Sequence, residues 1–256
     1  EICKQEGGLY PPLGILYVAA YAEKHSGHKV ELLDAPAERL SYDNLGQKIK
    51  EIGPDVVGIT TMSFTIIDVL KSIELIKKEL PHIKIILGGP HVHLYPEETI
   101  NLKGVDYLVL GEGELAFKEL LDAIEGKIPM DEVKGVVFKR DGRVINTGPR
   151  QLIDNLDELP FSARHLTHID RYYSLMAKRT PITTMFTSRG CPYRCIFCDR
   201  PHLGKKFRAR SPKSVVDEME QGVNMGIKEF FIYDDTFTID RKRVFDICAE
   251  IKNRGL

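Results

Sequence analysis

Tryptophan is absent from this 256-residue sequence, and its absence decides nothing. Other absences exclude more. No apolar run approaches the roughly 20 residues that span a bilayer, so no membrane span is expected. Neither sign of charge dominates: 36 Lys and Arg stand against 37 Asp and Glu, for a formal net charge of -1. That gives no global electrostatic case for a nucleic-acid or membrane partner. Residues 1–8 are too polar for a signal peptide, which leaves the cytoplasm as the expected location. There is no repeat at solenoid period and no low-complexity tract. The five cysteines, Cys3, Cys191, Cys195, Cys198 and Cys248, are an odd number, and three of them crowd into one short stretch. A disulfide scaffold wants an even count, a short chain and a secretory context. A reducing compartment and a metal site fit better.

What is present is alternation. The chain is long enough for two modest domains, and 43% hydrophobic with 29% charged residues reads as ordinary globular protein. Helices are expected over 13–25, around Leu45, Ile49 and Ile52 after Ser41 as N-cap, over 66–80 until Pro81, and over 115–124. Strands are expected over 29–33, 55–60, 83–87 and 107–110. Repeated strand–helix units imply a parallel sheet covered on both faces. Right-handed crossovers then set all strand carboxyl ends on one side, where such sheets bind ligands. Those ends are Thr60-Thr61-Met62-Ser63, Gly88-Gly89-Pro90-His91 and Gly111-Glu112-Gly113-Glu114. All are small or polar, as a bound ligand requires. Ordinary strand–helix turns use the same residues, so both readings stay open. His91 and His93 follow a strand end and are candidate cofactor contacts. The other His read as surface or loop residues.

Residues 133–145 read as a hairpin turning at Asp141-Gly142. Residues 146–179 have no sustained period and read as an interdomain linker. A second domain is expected from 181. It has strands over 182–187 and 229–233 and helices over 215–225 and 241–254. Two strand–helix units cannot close a barrel, so this domain is expected to be cut short. Isolated Cys248, among apolar neighbours on a helix, reads as core.

The most informative stretch is Cys191-Pro192-Tyr193-Arg194-Cys195-Ile196-Phe197-Cys198. Three thiolates in one loop can ligate three irons of a cubane cluster. With no fourth cysteine nearby, one iron stays open to an exogenous chelator, such as a methionine amino group and carboxylate. Zinc is a rival, because His202 follows and would complete a three-Cys, one-His site. Chance clustering is the other. The basic run 205–210 reads as a solvated loop rather than a nucleic-acid patch.

The spacing of three and then two residues, with an aromatic before the last Cys, resembles the radical S-adenosylmethionine (SAM) superfamily. The resemblance extends further. Tyr10-Pro11-Pro12-Leu13-Gly14, the segment 27–34, and the Gly88 and Gly111 loops are similar to the cobalamin-binding domain of the cobalamin-dependent (class B) radical SAM enzymes. So are residues 156–160, 188–198, 208–212 and 234–238. Together they cover nearly the whole chain in family order. The Cys motif is highly specific; the Gly-rich loops are individually weak.

This resemblance implies an α/β fold. A Rossmann-like (flavodoxin-like) cobalamin-binding domain over 1–130 precedes a hairpin and linker over 131–180. The start of a partial (β/α) radical SAM barrel follows over 181–256. It implies a [4Fe–4S] cluster on Cys191, Cys195 and Cys198, with SAM near Phe197, Asp234, Asp235 and Arg210. It places cobalamin against Thr60, Thr61, Ser63, Gly88, Gly89, His91, Gly111, Glu112 and Gly113. Two departures bear on this. No His has Asp two residues before it, so the Asp-x-His-x-x-Gly motif of many cobalamin proteins is absent. No His from that motif is then expected on cobalt, and the nucleotide base is expected detached. The family also opens with a hydrophobic strand that this chain mostly lacks, so both ends are expected to be truncated.

The implied activity is reductive cleavage of SAM to a 5′-deoxyadenosyl radical that abstracts hydrogen from a substrate carbon, followed by methyl transfer from cobalamin. A flavodoxin- or ferredoxin-type donor would supply the electron. A cobalamin-dependent cyclase or rearrangement enzyme is the alternative. A non-catalytic cobalamin- or zinc-binding module is the reading from another class. A methylthiotransferase fits less well, because its N-terminal domain supplies three more Cys and only Cys3 is present here.

Overall fold

The computed structural model describes residues 7–198 and 204–256. Cys3 and His202 lie outside them. Helices α1 Leu13–Ser26, α2 Ala35–Glu38 and α3 Tyr42–Ile52 precede strand β1 Val56–Thr60. Then come α4 Ile66–Glu79, β2 Lys84–Gly88, α5 Pro90–Leu94, α6 Pro96–Ile100, β3 Tyr107–Val109 and α7 Gly113–Ile124. Strands β4 Val136–Arg140 and β5 Arg143–Asn146 follow. The last part holds β6 Ile182–Met185, β7 Ser188–Arg189, β8 Arg208–Ala209, α8 Pro212–Asn224, β9 Glu229–Ile232 and α9 Arg241–Arg254. No described helix is long and apolar enough to cross a membrane.

The chain divides into two compact units. One comprises Glu1–Ala20, Val30–Ala37 and Ile153–Leu256; the other comprises Tyr21–Lys29 and Glu38–Leu152.

The second-named unit is built on a sheet in the order β1-β2-β3-β4-β5. The first three strands are parallel, and the β4–β5 hairpin adds antiparallel. In β2 the run Ile85-Ile86-Leu87 is wholly buried, as a central parallel strand with two covered faces requires. Val136, Val137 and Phe138 are buried in the same continuous way, which explains why the hairpin extends this sheet. Its turn has Asp141 and Gly142 both at positive φ, the geometry that matches the strand twist. Helix α4 buries Val69, Ile73 and Ile76 at helical spacing. Helix α3 approaches α4 closely at Gly46, where a Cβ would meet Glu79 Cγ at 3.2 Å. The expected N-cap Ser41 makes no side-chain cap bond; α3 instead ends on Gly53 in the left-handed conformation.

In the other unit β6 and β9 pair in parallel, and β7 pairs briefly with β8. One face of β6–β9 carries Met185, Phe230 and Ile232 against Val215, Val216 and Met219 of α8 and Ile247 of α9. The opposite face carries Ile182 and Phe231 against Leu9, Tyr10 and Tyr172. At Gly222 an added Cβ would sit 2.7 Å from the Phe230 ring, so α8 lies tight on the sheet.

Three expectations need correcting. Residues 29–33 form no strand. Val30 packs with Ala19, Ala20, Ala163 and Leu166, and Asp34 accepts from the Tyr172 hydroxyl at 2.8 Å, so tertiary contacts override the alternating pattern. Residues 153–179 are no loose linker: Leu156, Leu159, Ala163, Arg164 and Tyr172 are buried. Cys248 is exposed rather than core.

Candidate functional site

The cysteine loop leaves β7 through Gly190 at φ +80°, where an added Cβ would sit 2.3 Å from the Lys206 carbonyl oxygen. Only glycine fits there. The Cys191 amide donates to Gly204 O at 3.3 Å, and the Cys198 amide to Cys195 O at 3.2 Å. None of the three is in a disulfide. Cys191 is half-buried, and Cys195 and Cys198 are exposed. Among the described residues no three His, Cys, Asp or Glu side chains gather closely enough to hold a metal ion. The three thiols therefore share one loop without meeting at a point. Tyr193, Ile196 and Phe197 all stand exposed on the same loop. Adjacent exposed apolar side chains of this size mark a surface that something else covers.

The end of β9 holds the root of this loop. Asp234 Oδ1 accepts from the amides of Thr187 at 2.6 Å and Ser188 at 3.0 Å. Its Oδ2 accepts from both hydroxyls, Ser188 Oγ at 2.7 Å and Thr187 Oγ1. Four donors saturate that carboxylate. Asp235 is more exposed and accepts from the Gly190 amide. Partial burial pushes its carboxyl above the ordinary range, and neighbouring Asp234 adds to the shift. Thr236 Oγ1 lies 3.7 Å from Cys191 Sγ. Three consecutive residues thus fasten three successive points between 187 and 191.

Beneath the loop lies a buried charge cluster. Glu218 of α8 is fully buried and accepts from Arg164 Nη1 at 2.6 Å, from Arg210 Nη1, and from Tyr17 and Ser162 hydroxyls at 3.3 Å. Burial alone would raise the Glu218 carboxyl; the two guanidinium groups outweigh it and hold the carboxyl below the usual glutamate range. The same burial and the Glu218 charge push the Tyr17 hydroxyl upward. Arg210 also donates to Ser214 Oγ, Ser214 O and Phe186 O, so all its donors are engaged. Arg243 of α9 donates to Thr187 O at 2.6 Å and Arg210 O at 2.9 Å.

The second candidate site belongs to the other unit, at the ends of β1 and β2. The Thr61 amide donates to Gly88 O at 2.8 Å, and the His91 amide to Thr61 O at 3.2 Å. Ser63 Oγ lies 3.1 Å from His91 Nδ1. Gly89, at φ +100°, lies so close to the Thr61 backbone that an added Cβ would approach its oxygen to 2.9 Å. Thr61 is buried, and its Oγ1 finds no hydrogen-bond partner among the described residues. A buried hydroxyl left unmet at a strand end fits a ligand's polar group. Thr60 ends β1 in register with Gly88. Gly111, Glu112 and Gly113 follow β3, beside β2 in the sheet, and Glu112 is buried.

A B12 binding domain model matches residues 3–121, and a Radical SAM superfamily model matches residues 185–256. The uncharacterized methyltransferase PH0819 of Pyrococcus horikoshii is 37% identical over 98% of this chain and 54% of its own length. Cytidylyl-2-hydroxyethylphosphonate methyltransferase of Streptomyces wedmorensis is 32% identical over 96% of the chain and 54% of its own length. The anaerobic magnesium-protoporphyrin IX monomethyl ester cyclase of Rubrivivax gelatinosus is 32% identical over 97% and 46%. This chain belongs to the cobalamin-dependent radical SAM enzymes. It spans about half the length of these relatives. The solved structure of the cobalamin-dependent SAM radical enzyme OxsB, with aqua-cobalamin and SAM bound, shares the fold. Its TM-score is 0.82 at 20% identity, covering 98% of this chain and 36% of that one.

Within a cobalamin-dependent radical SAM fold, the two groups of expected residues fare differently. Phe197 and Asp235 stand accessible beside the cysteine loop, while Asp234 and Arg210 are committed to holding it. Arg210, expected to meet the SAM carboxylate, is buried with no spare donor. Thr60, Thr61, Ser63, Gly88, Gly89 and His91 come together, and Gly111–Gly113 share their sheet edge. Sequence reasoning missed Thr236, Arg164 and Glu218. The signal for Glu218 was a carboxylate among Val215, Met219 and Gly222 on the buried face of α8.

Proposed function

We propose that this chain is the cobalamin- and cluster-bearing part of a radical SAM methyltransferase acting on an unactivated carbon of a small-molecule or peptide substrate. The observation that carries the reading is the fastening of Asp234, Asp235 and Thr236 onto residues 187–191, at the root of a loop with three cysteines outside any disulfide. Three sulfurs on one loop are the donor set for a [4Fe–4S] cluster with one open iron. In this reading Cys191, Cys195 and Cys198 hold that cluster. Asp235 is left to receive the SAM amino group, and Phe197 packs toward the adenine. Asp234 fixes the loop, and Arg210, with Glu218, supports the floor beneath it. Thr61 offers its unmet hydroxyl to cobalamin, with Gly88, Gly89 and Gly111 leaving room. Residues 38–130 serve cobalamin and those from 181 the cluster; 131–152 extend the first sheet, and 153–180, with residues 9–20 and 30–37, back the second.

When bound, the cofactors supply the electron that cleaves SAM and the carrier that passes the methyl group. An external donor of flavodoxin or ferredoxin type completes the system, and the cytoplasm keeps the thiols reduced. The methyltransferase relatives favour methyl transfer; the cyclase relative favours a second reading, radical ring closure without it. The test is anaerobic turnover of the full-length enzyme with SAM and reductant. S-Adenosylhomocysteine together with 5′-deoxyadenosine supports methyl transfer. Deoxyadenosine alone, with a converted substrate, supports the cyclase reading. Zinc in place of iron and acid-labile sulfide would overturn both and leave a binding module.

A further inference from the structure

We propose that Thr236 is a positioning residue that acts through Cys191: its hydroxyl donates to the Cys191 sulfur and raises the reduction potential of the cluster which that cysteine helps hold. The inference rests on the cluster reading above and gives a role to a residue of the segment 234–238 to which the family resemblance assigns none. The geometry comes first. Thr236 Oγ1 stands 3.7 Å from Cys191 Sγ, within hydrogen-bonding reach of a sulfur atom. The hydroxyl now donates to Asp235 O at 2.7 Å. Iron ligation removes the proton from sulfur, so Cys191 becomes acceptor only. Bringing the thiols together moves the loop beyond its root, but rotation about the Cβ–Oγ1 bond is enough to redirect the Thr236 hydroxyl proton to Cys191 at that root.

The partner is also well held. Asp234 saturates its oxygens on Thr187 and Ser188, and Asp235 takes the Gly190 amide, so the backbone on both sides of this contact is fastened. Cys191 is half-buried, whereas Cys195 and Cys198 are exposed. A hydrogen bond counts for more where water is partly excluded. Hydrogen bonds to cluster sulfurs raise the potential because reduction adds negative charge to them. In the reaction concerned, the 2+ cluster takes one electron from a donor to become 1+, and no proton moves.

The experiment uses full-length protein reconstituted anaerobically with iron and sulfide, without SAM. Wild type, Thr236→Val and Thr236→Ser are titrated with redox mediators and followed by electron paramagnetic resonance. Iron and sulfide content should be the same in all three, since no ligand is lost. Thr236→Val should lower the ratio of reduced to oxidised cluster at a fixed solution potential by roughly three- to tenfold. Thr236→Ser, which keeps the hydroxyl, should restore the wild-type curve. A valine curve that superimposes on wild type, or a serine curve displaced as far as valine, would overturn the proposal. Wild-type protein that takes up no iron would instead sink the cluster reading itself, and the proposal with it.

Discussion

In the proposed reading the two units solve one problem, holding a cofactor at strand carboxyl ends, with opposite materials. At the ends of β1 and β2 most residues are small, Thr60, Thr61, Ser63, Gly88 and Gly89, and the larger Met62 and His91 among them carry no carboxylate or guanidinium. Close backbone approach does the positioning, and one buried hydroxyl is left unmet. At the ends of β6 and β9 the materials are charged: Asp234, Asp235, Arg210, Arg243 and the Glu218 cluster. A large, polar macrocycle needs room and backbone contacts. A short metal-binding loop needs its root fixed so that thiolates can be brought to one centre. The contrast is between a site that is cleared and a loop that is braced.

The largest test of the braced side is removal of the ligands. Alanine in place of any of Cys191, Cys195 or Cys198 should abolish the visible cluster absorbance. Full iron loading in the triple variant would break the assignment. Next comes the brace itself. Glu218→Gln leaves Arg164 and Arg210 buried without their carboxylate, and should cost about 3–5 kcal/mol in denaturant unfolding. The pH dependence has a definite sign. Because the folded carboxyl is held below its usual range, its contribution is present above the unfolded value and is lost as pH falls through the folded one. Wild-type stability should therefore drop on acidification below the normal glutamate range, and the Gln variant should drop less steeply there. Identical acid profiles would show that Glu218 is not the group responsible.

Much of this contrast was legible in the sequence, but unevenly. The cysteine spacing and the Gly-rich strand ends are local signals, readable from consecutive residues. The strands 56–60, 84–88 and 229–232 were readable because apolar runs between turn residues leave few options. The brace was not. Arg164 sits in a stretch without period, and it meets Glu218 across 54 positions. The segment 29–33 alternates like a strand yet forms none, since Val30 is used in a small core with Ala163 and Leu166. Arg210 is placed near SAM by the family resemblance, in a basic run that reads as a solvated loop. Its actual carboxylate is internal.

The adjacent aspartates sharpen the comparison within the braced site. Asp234→Asn retains shape and one oxygen for the Thr187 and Ser188 amides, but its NH2 no longer accepts from the two hydroxyls, and the change should cost about 1–3 kcal/mol of stability. It should also loosen the loop root, read as faster amide hydrogen exchange at Ser188. Asp235→Asn should change stability by less than about 1 kcal/mol, since one amide bond and a partly exposed carboxylate are involved. Its effect should fall on SAM affinity, measured by equilibrium binding to the reconstituted protein. If the two variants exchange these phenotypes, the division of labour drawn from their hydrogen bonds is wrong.

The smallest effect tests the cleared side. Thr61→Val replaces a buried hydroxyl that has no partner by a methyl of nearly the same volume. Leaving such a group unsatisfied costs roughly 1 kcal/mol or more, so the ligand-free variant should be more stable than wild type by about that amount. The same change removes the group offered to cobalamin, and cobalamin affinity should fall several-fold. Opposite signs are the point of the test, because a merely structural threonine cannot produce them. Stability that rises with affinity unchanged would mean that cobalamin never meets this hydroxyl. Stability that falls would mean that the hydroxyl has a partner within the protein, and that the strand-end site is less open than its glycines suggest. The same preparation answers a related question about cobalt. The Asp-x-His-x-x-Gly motif is absent, and His91 Nδ1 already faces Ser63. Electron paramagnetic resonance of the cobalt(II) form should therefore lack nitrogen superhyperfine splitting from an axial imidazole or benzimidazole. Its presence would show that a ring nitrogen reaches the metal after all.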